Sequence, residues 1–312
     1  MKNFNVIYQK IYDSCNKSEL ELARHKQLKQ TWIITGVILA ALIGFMIFGM
    51  IEPTILLMFT SLFPIVFIFL IVLFIVKGTK STKDNKNTYL NMYKDEVISR
   101  LVNYYDEHLT FDRRKSIQRI DYQQGEFEYF DTFHSDDYIS GDLEGKTYIQ
   151  MGDVLTQTQH TDSEGHTTYV TVFQGLYCMC NLNKNTNNKL KVRNDKGLLG
   201  KMLKSKELVQ MDSQEFEKNF DVYCTDKILA MRLLTSDIMD YMINFKKENK
   251  VKFDFTVKND IAYIRISCNN MFEGALTKDA LDYEILLKYF KYLDFMCQLS
   301  LMISNVINEK DL

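Results

Sequence analysis

Two histidines and two acidic residues lie close together in one polar segment of the chain. His160 and His166 enclose the sequence TDSEG, in which Asp162 and Glu164 alternate with small residues. Imidazole and carboxylate groups are common ligands of zinc, so this segment is a candidate surface metal site. Exposed polar turns have the same composition without binding a metal. We favour the turn interpretation and predict no metal ligands.

A second group of acidic residues surrounds Gly141. Asp136, Asp137 and Asp142 form the densest acidic cluster in the sequence. Clusters of carboxylates bind cations in some loops, but the spacing here does not match an EF-hand calcium loop. We therefore expect these three residues to be solvated side chains of a loop.

The chain lacks the familiar catalytic motifs. It contains no HExxH, GxSxG, Walker A or Rossmann glycine pattern. An enzyme with an unfamiliar site would need titratable groups that converge in one cleft. The residues that would have to meet there are His134, Asp136, Asp142 and Glu215. We predict no catalytic residues and no cofactor, and we leave cofactor-binding residues unassigned.

Four further charged residues are expected to have a structural role. Glu215, Lys218, Asp226 and Arg232 fall around the start of a predicted helix. Ion pairs are common at such junctions and usually contribute little more than local order. We therefore predict an ion-pair network there rather than a catalytic site.

Composition excludes a disordered chain and gives no support for binding to nucleic acid. The chain has 312 residues, of which 46% are hydrophobic and 25% are charged, so wholesale disorder is excluded. Its 38 basic residues are balanced by 40 acidic ones. This balance gives no reason to expect a nucleic-acid partner.

Two long uncharged segments predict a membrane anchor. Residues 31–50 read TWIITGVILAALIGFMIFGM, and residues 54–76 read TILLMFTSLFPIVFIFLIVLFIV. Each segment is long enough to cross the hydrocarbon core of a bilayer as a helix. Only Ile51, Glu52 and Pro53 separate them. The sequence therefore predicts a transmembrane helical hairpin, in contact with the lipid bilayer.

Basic residues near the two segments predict the orientation of the hairpin. They flank it on the side of both termini, at Arg24, Lys26, Lys29, Lys77, Lys80, Lys83 and Lys86. Positive residues beside membrane spans are retained in the cytoplasm. We therefore predict a multi-pass protein of the cell membrane with both termini cytoplasmic. Its six cysteines, all outside the spans, would be free thiols there.

Two amphipathic segments adjoin the predicted spans. Residues 1–30 contain apolar residues at helical spacing from Phe4 to Cys15, and residues 77–117 contain a polar linker followed by a second helical pattern. The two helices can pack on each other as a short stalk, or each can pack on the domain that follows. We favour the stalk, because the hairpin brings their ends together.

Residues 118–312 are predicted to form a cytoplasmic α+β domain with an antiparallel sheet. Alternating patterns predict strands, and helical patterns with capping residues predict helices. The predicted strands are Lys146–Gln159, Thr167–Asn181, Lys189–Arg193, one containing Phe220, Val222 and Cys224, and the hairpin Lys250–Val257 with Ile261–Cys268. Predicted helices cover 197–206, 227–234 after an Asp226 cap, 237–246 after Thr235 or Ser236, and 279–308.

Two local features of this domain are also predicted. Gly165 is expected to adopt a positive φ in the turn between the first two strands. Cys178 and Cys180 are two residues apart on the second strand, so they share one of its faces. We predict that both cysteines pack in the interior.

Several blocks of the sequence resemble one bacterial protein family. They are DDYISGDLEGKTYIQMGDV, VFQGLYCMCNLNKN, EFEKNFDVYCTDKILAMRLLTSDIMDYM and LDYEILLKYFKYLDF, in this order. The chain resembles the domain-of-unknown-function family 3137, whose similar members also begin with two membrane spans. The resemblance implies the anchored architecture but no activity, because the family is uncharacterised. Members of the family typically have a proline shortly after the helix within the third block, where this chain has Ser236.

Three hypotheses for the function follow. The first is a membrane-anchored cytoplasmic interaction module, a scaffold or sensor with a protein partner or a small ligand. The second is an enzyme that acts on a membrane-proximal substrate. The third is a subunit of a channel or transporter, which is disfavoured because neither span has an ionisable residue.

Overall fold

The structure is a computed structural model that describes residues 2–49, 88–194, 207–269 and 271–309, without the side chains of 41–42 and 44–49. The chain divides into two compact units. We name the first the sheet unit, and it comprises Met1–Asp13, Ile98–Phe272 and Tyr283–Leu312. The second, the helical unit, comprises Ser14–Val97 and Glu273–Asp282.

The described part of the sheet unit contains one nine-stranded sheet in which every pair of neighbours is antiparallel. Its strands are β1 (Leu109–Asp112), β2 (Thr132–Leu143), β3 (Thr147–Thr161), β4 (Thr167–Asn181), β5 (Lys189–Asn194), β6 (Leu208–Val209), β7 (Phe220–Cys224), β8 (Phe253–Lys258) and β9 (Ile261–Ser267). Their order across the sheet is β1-β2-β3-β4-β9-β8-β5-β7-β6. The predicted α+β class with an antiparallel sheet is confirmed.

Eight α-helices are described with their bounds, and residues 88–93 are also helical. They are α1 (Phe4–Ser14), α2 (Lys17–Gly49), α3 (Ser99–Tyr105), α4 (Arg119–Gln124), α5 (Gln214–Glu217), α6 (Lys227–Leu233), α7 (Ser236–Asn249) and α8 (Tyr283–Glu309). A π-helical turn, Lys94–Ile98, leads into α3. The predicted helix 197–206 lies outside the described residues.

The predicted helix caps and turns are present. The Asp226 carboxylate accepts hydrogen bonds from the backbone amides of Ile228 and Leu229, and the Thr235 hydroxyl accepts one from Ile238. These side chains satisfy amides that the first turn of a helix leaves without a backbone partner. Gly165 has a φ of 85°, as predicted for the β3–β4 turn.

The long helix α8 covers one face of the sheet. On β4, Cys178 and Cys180 are fully buried and both approach Ser300 of α8. The intervening Tyr177 faces the opposite side, where its ring lies 4.9 Å from that of Tyr122. The two cysteines therefore share a face and pack in the interior, as predicted. Burial raises the pKa of the Cys178 thiol to about 12, so it stays protonated at neutral pH.

Helices α1 and α3 both pack on α8. The ring of Phe4 lies 5.2 Å from that of Phe290, and the Tyr105 hydroxyl donates a hydrogen bond of 3.1 Å to Asp294. Lys10 of α1 also lies 5.8 Å from the ring of Tyr104 on α3, so the two helices contact each other as the favoured stalk requires. Tyr105 and Phe290 are also in edge contact, so the alternative in which each helix packs on the domain is present as well.

The helical unit is held together by a short connecting segment, residues 273–282. Glu21 of α2 accepts a hydrogen bond from the Ala280 amide, and Arg24 donates to the Leu276 carbonyl. Lys94 pairs with Glu273 at 3.0 Å. These contacts attach α2 and residues 88–97 to the same segment.

The two predicted membrane spans are only partly described. The first, 31–50, falls on α2 as far as Gly49, and the second, 54–76, lies outside the described residues. Among the helices that the structure describes, none combines the length and the apolar character needed to cross a membrane. The hairpin therefore stays a prediction.

Candidate functional site

The hairpin of β3 and β4 extends beyond the rest of the sheet. Pairing of β3 with β2 ends at Gln157, and pairing of β4 with β9 begins only at Gly175. Pairing between β3 and β4 continues to Thr161 and Thr167. Residues 159–172, which we name the arm, are exposed throughout. The arm is therefore a two-stranded ribbon with solvent on both faces.

One edge of the arm presents backbone groups that a further strand can bind. The amide of Gln159 donates a 2.7 Å hydrogen bond to Asp131, away from β4. Because the Gln159 amide points away from β4, Gln159 and the opposite residue, Tyr169, form a non-hydrogen-bonded pair. The amide and carbonyl of Tyr169 therefore point to the outer edge of β4. The same alternation directs the backbone of Thr167 and Thr171 outward. No strand among the described residues pairs with this edge.

The side chains along this edge are apolar or uncharged. Residues 167–173 read TTYVTVF, and Tyr169, Val170 and Val172 are 54%, 52% and 40% exposed. Proteins usually protect a free strand edge with charged residues or proline. This segment has neither, and its β-branched residues favour strand pairing. A bulge at Thr156 and Gln157 marks the base of the arm.

The predicted metal candidates lie at the tip of the arm. His166 Nδ1 is 3.2 Å from an oxygen of Asp162 and 3.7 Å from one of Glu164, whereas His160 is 3.4 Å from the Thr158 hydroxyl. His166 therefore contacts the two acidic residues, whereas His160 contacts Thr158. Within the described ranges, no three histidine, cysteine or acidic residues are grouped as metal ligands.

The acidic cluster lies in a strand, so the prediction of a solvated loop is wrong. Asp136, Asp137 and Asp142 all belong to β2, and Asp137 is only 1% exposed. A register shift between Asp136 and Ile139 and a φ of 55° at Asp137 mark a bulge there. The bulge turns one aspartate inward and interrupts the two-residue alternation that identifies a strand.

The four residues of the enzyme hypothesis fall on two different elements. His134, Asp136 and Asp142 lie on β2, whereas Glu215 lies on α5 and pairs with Lys247 of α7. No described contact joins Glu215 to the three residues of β2. Two members of the predicted ion-pair network have other contacts, because Glu215 binds Lys247 and Asp226 caps α6.

A charged cluster that the sequence did not predict covers the other face of the sheet. We name it the clasp, and it comprises Glu126, Phe127 and Glu128 with the strand residues that bind them. The Glu126 carboxylate contacts Lys189 at 2.7 Å, Lys191 at 3.1 Å and Lys258 at 2.8 Å. The next residue, Phe127, lies against the guanidinium groups of Arg193 and Arg265.

Acid should weaken the ion pairs that Glu126 forms in the clasp. Hydrogen bonds from Lys189 and Lys258 lower the pKa of Glu126 to about 2. Its contribution to the free energy of unfolding is therefore complete above about pH 4.5 and is lost as the pH falls towards 2. We expect the stability deficit of Glu126→Gln, measured by urea unfolding, to shrink over this range.

The exposed Glu144 offers a matched control, since no described salt bridge holds its side chain. Glu144→Gln should match the acid dependence of the unsubstituted protein. A constant deficit for Glu126→Gln from pH 7 to pH 3 would show that the three lysines do not favour the ionised form.

A pocket of about 410 Å³ lies between α7 and α8. Its lining includes Tyr241, Phe245, Leu287, Phe290, Lys291 and Asp294. Burial raises the pKa of the Asp294 carboxyl, which accepts a hydrogen bond from Tyr105. A mostly apolar pocket with a few polar groups is typical of small-ligand sites.

The fold and the arm define an α+β domain with a projecting β-hairpin. The family described as "Protein of unknown function (DUF3137)" matches residues 171–302. The matched segment begins in the arm and ends in α8. The predicted resemblance is confirmed, and it supplies no activity.

Comparison with other proteins adds little. No curated protein matches the chain significantly. Among solved structures, the chain is similar to the crystal structure of the mycobacterial trehalose monomycolate transport factor A, TtfA, with 9% identity and a TM-score of 0.33. The match covers 64% of this chain and 86% of that one.

Proposed function

We propose that this protein is a membrane-anchored interaction module that binds a protein partner through the arm. The observation that carries the proposal is the outer edge of β4, where the backbone of Thr167, Tyr169 and Thr171 faces solvent. An extended peptide segment that adds a strand there would satisfy these groups, a recurring mode of peptide recognition. Exposed Tyr169, Val170 and Val172 would supply side-chain contacts.

The anchor is proposed on the basis of the sequence. Residues 31–50 and 54–76 are uncharged. In α2, the side chains of Trp32, Ile33 and Leu39 are 73%, 50% and 57% exposed, and a lipid environment would cover such apolar groups. With both termini in the cytoplasm, protease added outside intact cells should leave the region beyond residue 76 uncut. Digestion of that region would overturn the proposed orientation.

Site-specific photocrosslinking in native membranes tests the role of the arm. A photoreactive phenylalanine analogue at position 169 should give a discrete adduct with one protein. Thr171→Pro removes an outward amide without removing a β3–β4 hydrogen bond, so it should reduce the adduct at least fivefold. Thr171→Val retains the amide and should leave the adduct unchanged.

Two outcomes contradict the proposal. One is the absence of any adduct from position 169. The other is an adduct that survives Thr171→Pro as well as Thr171→Val, which would mean that the contact does not use the backbone edge. An unchanged far-ultraviolet circular dichroism spectrum checks that both variants are folded.

A further inference from the structure

The outward-facing residues of β4 are spaced so that two copies of this edge can pair with each other. Its outward-facing residues, Thr167, Tyr169 and Thr171, are two apart, as the binding residues of an antiparallel partner strand must be. If the segment is placed antiparallel to a copy of itself about Val170, Tyr169 of each chain lies opposite Thr171 of the other. Both of these residues direct their amide and carbonyl groups toward the partner. The edge therefore has the backbone complementarity that a two-fold pair of identical strands requires.

The side chains favour a register with its two-fold axis at Val170 over one with the axis at Tyr169. With the axis at Val170, the two valines lie opposite each other, and Val172 lies opposite Thr168 of the second copy. With the axis at Tyr169, Val172 would lie opposite His166 instead. Cross-strand pairs of β-branched residues stabilise a sheet, so the axis at Val170 is preferred.

The charge distribution also suits two identical arms. Residues 167–174 contain no charged side chain, so two copies of this edge meet without like-charge repulsion. The acidic residues Asp162 and Glu164 lie at the tip. An antiparallel arrangement places the two tips at opposite ends, about 40 Å apart at roughly 3.3 Å per residue. A parallel arrangement would bring them together.

From this geometry we infer that the partner of the arm is a second copy of this chain, joined through a β4–β4 antiparallel pair centred on Val170. The inference rests on the proposed function and names the partner of the same edge. Attachment of both copies to one membrane raises their effective concentration for each other. The alternative occupants are another protein and another segment of the same chain.

Disulfide trapping in native membranes tests the pair directly. Val170→Cys in the full-length protein should give a dimer on mild oxidation, because the two introduced thiols would lie opposite each other. Ile120 on α4 is 60% exposed, compared with 52% for Val170, so Ile120→Cys is a matched control. We expect at least ten times more dimer from Val170→Cys than from Ile120→Cys or from the native cysteines. Equal amounts would overturn the inference.

A charge exchange at the same position provides a second, independent test. Two copies with different tags are expressed together, and their co-purification is measured. Val170→Lys in both copies, or Val170→Glu in both, should reduce co-purification at least fivefold, because like charges would lie opposite each other. Val170→Lys in one copy with Val170→Glu in the other should restore it. Failure of the mixed pair to exceed both like-charged pairs would overturn the register.

The two proposals can fail separately. An adduct from position 169 that contains another protein and depends on Thr171, with no Val170→Cys dimer, would retain the proposed function and overturn self-pairing. No adduct and no dimer would overturn both. An unchanged circular dichroism spectrum for the Val170 variants excludes unfolding as the cause of a loss.

Discussion

Replacement of Arg265 by alanine is expected to destabilise the sheet unit by about 3–5 kcal/mol, as when one member of a buried ion pair is removed. The Arg265 side chain is 12% exposed and contacts Glu128 and Asp254, whose side chains are 17% and 15% exposed. It also donates a 2.9 Å hydrogen bond to the hydroxyl of Tyr122. Alanine would leave two nearly buried carboxylates without their cation, and urea unfolding of the full chain in detergent measures the cost.

Two further substitutions separate charge from geometry. Arg265→Lys retains the positive charge but loses the planar group that contacts both carboxylates. It should therefore lower the free energy of unfolding, but by less than Arg265→Ala does. Arg119 is exposed and lies 5.1 Å from the Phe130 ring. Arg119→Ala should cost less than about 1 kcal/mol. Similar costs for the two alanine variants would mean that the clasp does not hold the unit together.

Gly175→Ala is expected to cost about 2–6 kcal/mol, from backbone strain and overpacking together. Gly175 has a φ of 152°, where β4 begins to pair with β9. A Cβ atom at this position would lie 2.0 Å from the Ile266 carbonyl oxygen and 2.8 Å from the Cys268 amide nitrogen. Both are backbone atoms of or next to β9, so relief requires separation of the strands. The thermal unfolding midpoint should fall accordingly.

Gly165 provides the control for this substitution. It has a φ of 85°, but no atom lies within 4 Å of the position that its Cβ would occupy. Gly165→Ala therefore has only the conformational cost of about 1–2 kcal/mol for a left-handed residue. If the two variants were equally stable, contact with β9 would not be the reason for glycine at position 175.

The predicted strands and caps depend on local patterns. The alternation in 146–159 and 167–181 predicts β3 and β4 to within two residues at each end, because one periodic pattern covers each strand. Asp226 and Thr235 are recognisable caps, since a helix start needs acceptors within a few residues of sequence. The sequence pattern does not predict the exposed arm, because the exposure of the arm depends on where β2 and β9 stop pairing.

Other features required the three-dimensional structure. The sequence pattern does not identify strand β2, because its bulge at Asp137 disrupts the alternation of its first half. The clasp joins Glu128, Asp254 and Arg265, which are far apart in the chain and meet only across the sheet. One feature of the sequence does indicate the clasp. Arg265 is a single charged residue within the apolar strand IAYIRIS, and a buried arginine requires carboxylates nearby.

The position of α8 in the chain bears on how the protein is made. All nine described strands precede this helix, which covers Cys178 and Cys180 and whose Ser304 lies 3.3 Å from Thr147. During translation, the ribosome therefore releases the sheet before its apolar cover exists. Exposed nascent strands are prone to aggregate, and the face of the sheet that α8 covers stays exposed until this helix emerges.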